Sequence, residues 1–159
     1  MRTRSIALFS HFAGVALTAL LLTSCSSSSS TATPSGTDAT TVTQPIGPSG
    51  GTIEVGGAVV TFPKDAVSQS TMITISVDTT VPTGYVALSK VFKCGPSGTN
   101  FNAPVEMRMP FVDDGKGAAS LFWSSGADPS FKDLGGRVDG TTMVATVQHF
   151  SSGFVGRKM

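Results

Sequence analysis

The chain has 159 residues, with 11 Lys and Arg against 10 Asp and Glu. This near-balance provides no basic field for nucleic acid and no acidic tail for a cationic partner. Two cysteines are too few for a disulfide framework, so a single domain at this length has to rest on its own apolar core.

Chain order begins with Arg2 and Arg4, an apolar stretch from Ile6 to Leu22, then Leu22-Thr23-Ser24-Cys25 and a serine run from Ser26 to Ser30. A positive start, an apolar middle and small residues at the cut site make a secretory signal peptide. The apolar run is 17 residues, interrupted by Ser10 and His11, with no Lys or Arg following closely as a stop-transfer flank. That is at the short edge of what spans a bilayer. The Leu-Thr-Ser-Cys tetrad resembles the lipobox of bacterial lipoproteins. The resemblance implies that residues 1–24 are removed, that the Cys25 thiol carries diacylglycerol, and that the new N-terminus is acylated with a chain such as palmitate. Each buried CH₂ then contributes about 0.8 kcal/mol, so the membrane becomes a partner through Cys25 without any transmembrane span. Ser26 stands where an aspartate would be expected for retention in enterobacterial-type sorting, so the expected location is the outer membrane of the cell envelope. A secreted form without lipid and an uncleaved transmembrane helix are the alternatives.

Cleavage would leave 135 residues with 9 basic and 10 acidic side chains. With Cys25 lipidated, Cys94 is expected to be a buried small apolar residue without a disulfide partner. One histidine, His149, then remains, which excludes a histidine- or cysteine-rich zinc site; no metal and no cofactor is expected. Residues 25–48 are rich in Ser, Thr, Ala, Pro and Gly, with Asp38 the only charge, and are expected to form a flexible spacer. The folded domain is expected over residues 49–159.

That domain reads as short strands. Thr52–Val55 alternates, Gly56-Gly57 supplies a two-residue turn, and Ala58–Phe62 follows. Pro63–Val67 predicts a turn or one helical turn. Met72–Asp78 places Ile73, Ile75 and Val77 on one face, and Val105, Met107 and Met109 face inward while Glu106 and Arg108 face out. Further strands are expected at Val86–Lys93, Ala119–Trp123, Arg137–Val138 and Thr142–Phe150, with an Asp139-Gly140 hairpin turn and a last strand at Gly153–Gly156. With no sustained 3.6-residue period after the signal, the fold class is all-β, a single antiparallel β-sandwich. Phe62, Phe92, Phe101, Phe111, Phe122, Trp123 and Phe131 supply its core, at about 1.5–3 kcal/mol for each large apolar side chain fully buried.

Candidate chemistry is sparse. Asp113-Asp114-Gly115-Lys116-Gly117 lacks the alternating oxygens of a calcium loop and reads as a solvated turn. No Gly-x-Ser-x-Gly elbow is present, and spacing brings no acid and nucleophile to His149. Carboxylates for glycosidase chemistry would need a cleft that the pattern does not indicate.

The most specific stretch is Cys94-Gly95-Pro96-Ser97-Gly98-Thr99-Asn100-Phe101-Asn102-Ala103-Pro104-Val105. Gly95–Gly98 reads as a tight turn, Phe101 as a core plug, and Pro104 as the start of a strand, where a missing N–H is tolerated. The string resembles the signature of ZU5 domains, with Gly50-Gly51, Pro63, Ala66-Val67 and Thr71–Val77 falling in that family's order, over about residues 48–151. The resemblance implies a β-sandwich that contacts other proteins, here an unidentified envelope or cell-surface partner, and not an enzyme acting on external substrates. It also implies one alternative. Some relatives cut their own chain at His-Phe-Ser, so Ser151 would attack the carbonyl of Phe150 with His149 as general base. Such an acyl shift needs a strained peptide bond. Strand parity from Met143, Ala145 and Val147 turns His149 toward the core unless a bulge intervenes.

Overall fold

The computed structural model describes residues 40–125 and 130–159. The expected signal peptide, Cys25 and the expected spacer up to residue 39 lie outside the described residues. Two antiparallel sheets carry the chain, as the alternating pattern predicts. One sheet sets β1 (Thr41–Ile46), β4 (Thr71–Asp78), β6 (Val91–Gly95), β12 (Ser152–Lys158), β8 (Ser120–Ser124) and β9 (Phe131–Gly135) side by side in that order. A short β5 (Tyr85–Ala87) also pairs with β12. The other sheet is ordered β10 (Arg137–Asp139), β11 (Thr142–His149), β7 (Asn100–Pro110), β3 (Ala58–Phe62) and β2 (Gly51–Val55).

The alternation decides the faces. Ile73, Ile75, Val105, Met107 and Met109 are all buried in one core between the sheets, with Phe62, Phe92, Phe101, Phe111 and Trp123. Phe122 and Phe131 do not join that core. With Phe154, Val91 and Tyr85 they form a second cluster, on the opposite face of β8 from Trp123. There the ring of Tyr85 stands edge-on to Phe122, Phe131 and Phe154 at 5.0–5.9 Å. Its hydroxyl donates to the Phe131 carbonyl at 3.2 Å, which satisfies the polar end of an otherwise apolar contact.

Several elements depart from the sequence reading. β1 lies inside the segment expected to be spacer, because Val42 and Ile46 pack inward while Thr41 and Thr43 line the outer face with Thr74 and Ser76 of β4. The Val77 amide donates to the Thr40 carbonyl, which fixes the ladder so that odd-numbered residues of β1 point their backbone groups away from β4. Pro45 falls at one of these outward positions, where its missing N–H leaves no ladder bond unmade. The expected strand Val86–Lys93 is two strands. β5 and β6 share one edge of β12, and between them the Leu88 and Ser89 amides donate to the Val155 carbonyl while Ser89 Oγ accepts from the Val155 amide. Pro104 stands within β7, not at its start. It faces a register shift between Val147 and His149 of β11, so no regular ladder bond is required of it.

The Gly56-Gly57 turn pairs Val55 with Ala58, both glycines having positive φ, whereas the hairpin from β10 to β11 turns on Gly140-Thr141, one residue later than expected, because Asp139 pairs with Thr142. Gly153 is required by close approach: a Cβ there would lie 2.1 Å from the Trp123 ring.

Candidate functional site

The register shift between β11 and β7 decides where the His149-Phe150-Ser151 segment points. Parity would bury His149, but the bulge after Val147 leaves it only half-buried and turns the fully buried Phe150 into the core instead. Phe150 stands edge-on to Phe101 at 4.8 Å and to Phe62 at 5.8 Å.

The backbone around Phe150 is held by the end of β6 and the loop after it. The Phe150 amide donates to the Thr99 carbonyl (2.8 Å), the Gly98 amide donates to the Phe150 carbonyl (2.9 Å), and the Cys94 amide donates to the Ser151 carbonyl (2.8 Å). Within that loop the Thr99 amide donates to the Pro96 carbonyl, so the tight turn is Pro96–Thr99, with Gly98 at positive φ. The Cys-Gly-Pro-Ser-Gly string therefore builds a cradle for the corner where the chain passes from β11 to β12.

Ser151 is buried, and its hydroxyl shares a hydrogen bond of 2.5 Å with that of Ser124, the other buried polar residue among those described. Ser124 Oγ also accepts from the Ser152 amide at 3.3 Å. Nε2 of His149 lies 3.3 Å from the Ser124 carbonyl, an acceptor, so this nitrogen carries the proton it donates. The His149 carbonyl in turn accepts from Trp123 Nε1 at 3.2 Å. The structure thus gathers His149, Phe150 and Ser151 in one corner but directs the imidazole and the hydroxyl to different parts of Ser124. The peptide between Phe150 and Ser151 is trans, and neither residue has positive φ.

Cys94 is buried against the core, and burial pushes its thiol up to about 12. Asp113 and Asp114 cap their own turn by accepting from the Gly115 and Lys116 amides. Asp114 also takes both guanidinium nitrogens of Arg157, at 2.6 and 2.7 Å, and this pairing lowers its pKa. It ties the loop after β7 to β12. Among the described residues no group of three or more His, Cys, Asp or Glu is placed to hold a metal ion, and no helix is long and apolar enough to cross a membrane.

A family model described as the ZU5 domain matches residues 42–121, half of the chain. The chain belongs to the ZU5 family. The ZU5 match begins within β1, earlier than the glycines that carried the sequence resemblance, and ends within β8, before His149-Phe150-Ser151. A search among curated proteins finds no match. ZU5 domains are protein-interaction modules, and the antiparallel sandwich agrees with that assignment. Sequence reading missed Ser124 as the partner of Ser151, because Ser124-Ser125-Gly126 carries only a turn signature. It also missed the fork between Arg157 and Asp114, whose residues are 43 apart in the chain.

Proposed function

We propose that the protein is a lipid-anchored component of the bacterial cell envelope, in the outer membrane, that displays its ZU5 domain to a protein partner. The observation that carries this reading is the order of parts. A lipobox-like Leu22-Thr23-Ser24-Cys25 and a serine run precede a sandwich of an interaction family. On this reading diacylglycerol on Cys25 holds the chain to the bilayer, and the segment before β1 spaces the sandwich from the surface. The test is labelling of growing cells with a palmitate analogue, followed by membrane fractionation. Label and membrane association should both be lost in Cys25→Ala. Unlabelled protein that fractionates with the soluble periplasm would overturn the reading.

One observation favours a second reading, self-cleavage between Phe150 and Ser151. The Gly98 amide already donates to the carbonyl that Ser151 would attack, as an oxyanion donor must. Against it stand the separate engagements of His149 and Ser151 on Ser124. The Ser151–Met159 fragment contains β12, which is hydrogen-bonded to three strands, so a nicked chain would stay together until denatured. Intact mass measured after denaturation therefore separates the outcomes: a fragment ending at Phe150 supports cutting, and one uncut species sinks it.

A further inference from the structure

At the end of β7 far from Ser151, an open groove of about 430 Å³ lies between the loop joining β5 to β6 and the residues that follow β7. Its apolar lining includes Leu88, Phe92, Pro110, Phe111 and Val112. Phe92 and Phe111 are buried and form the floor, while Val112 on the rim is 78% exposed. The walls are fixed in place: the Val112 amide donates to the Leu88 carbonyl at 2.9 Å, and the Leu88 amide donates to Val155 of β12 at 2.8 Å.

The charge on this groove is of one sign. Lys90 is its only charged lining residue and has no ion-pair partner among the described residues. The nearby Asp78 and Asp114 are occupied, by Lys93 and by Arg157. A shallow, preformed apolar floor with one unneutralised ammonium at its rim fits a large apolar side chain next to a carboxylate. Because the groove is open and its floor is closed by packed aromatic rings, it suits side chains of an extended peptide better than a long acyl chain.

We propose that this groove is the docking site of the ZU5 domain for a partner segment in which a large apolar residue adjoins Asp or Glu. The proposal rests on the interaction reading and assigns it a place. The apolar side chain sits against Phe92 and Phe111 under Val112, and the carboxylate meets Lys90.

The test selects a displayed library of random short peptides on the full chain. Enriched sequences should pair a large apolar residue with Asp or Glu. Lys90→Glu should weaken them about tenfold, as reversal of a rim charge does, and Val112→Asp should do so by on the order of thirtyfold, as loss of an apolar anchor. Both side chains are exposed, so the fold survives either change. Val138→Asp, which alters an exposed apolar residue on β10, should leave binding unchanged. Peptides without acidic residues, or indifferent to Lys90 and Val112, overturn the proposal. If binding is lost only in Val138→Asp, the interaction reading stands and the groove is wrong. If no peptide is enriched but dodecanoate binds and is lost in Lys90→Glu, the ligand is a lipid and the peptide proposal fails.

Discussion

The two ends of β7 treat polar and apolar groups in opposite ways. At the Asn100 end, Ser124, Ser151, His149 and the Phe150 backbone all find partners within the domain. At the Pro110 end, apolar rings form the floor of an open groove and Lys90 has no ion-pair partner among the described residues. A buried polar group left unmade costs far more than a surface charge left unpaired, so the closed corner is under structural constraint and the open one is free to serve contact. The residues that look catalytic in sequence sit at the closed end. Those with unused capacity for contact sit at the open one.

The strongest challenge to this contrast is removal of Phe150. Phe150→Ala should cost about 3–5 kcal/mol, the range for deleting a fully buried aromatic ring, as read from urea unfolding. A loss under about 1 kcal/mol would mean the corner is not tightly packed. Next, Ser124→Ala removes the partner of both the Ser151 hydroxyl and the Ser152 amide and should cost about 1–3 kcal/mol. Adding Ser151→Ala should cost less than the sum of the two singles, because the hydroxyl left stranded by the first change is gone. Strict additivity in the double-mutant cycle would show that the pair is not coupled.

Acid titration probes the surface pairs. Lys93 beside Asp78, Arg157 beside Asp114 and Arg108 beside Asp139 each hold the carboxyl below its ordinary range. A carboxyl with a folded pKa below its unfolded value, about 3.9, contributes stability above that pH and loses it as pH falls through the folded value. Stability should therefore be level near neutrality and decline below about pH 4, less steeply in high salt and in Arg157→Ala. Unfolding midpoints taken across that range at two salt concentrations check this. An undiminished slope in Arg157→Ala would remove Asp114 from the account. The smallest effect belongs to the groove: Lys90→Glu should alter stability by no more than about 0.5 kcal/mol, as an exposed side chain without partners does.

Much of the fold was legible because alternation is a direct imprint of a two-faced sheet. The period-two pattern alone marks Ile73 and Ile75, and Val105, Met107 and Met109, as core residues, and all five are buried. β1 was not legible, because Thr, Gln and Pro read as spacer and only Val42 and Ile46 face inward. β9, Phe131-Lys132-Asp133-Leu134-Gly135, has no clean alternation, since its pairing to β8 is itself irregular between Leu121 and Phe122. At the candidate site, the residue types were visible but their directions were not. A register shift after Val147, where β7 runs from Val105 to Asn100 while β11 runs only from Val147 to His149, broke the parity that would have buried His149, and nothing in the sequence near Ser124 marks it as the partner of Ser151. The cradle formed by residues 94–99 shows why a turn signature and the distant Phe150-Ser151 segment belong together, but that relation is tertiary.

The placement of β12 also has a consequence for synthesis. The strands β1, β4 and β6 on one side and β8 and β9 on the other share no ladder, and residues 152–158 are what joins them. As the chain emerges, its first sheet therefore exists as separate three-stranded and two-stranded parts with unpaired edges, and these join only when β12 arrives. Until then the edges of β6 and β8 are open templates for pairing with another chain. During biogenesis, the interval before residue 158 is free to fold is the period in which this protein is most exposed to misassembly.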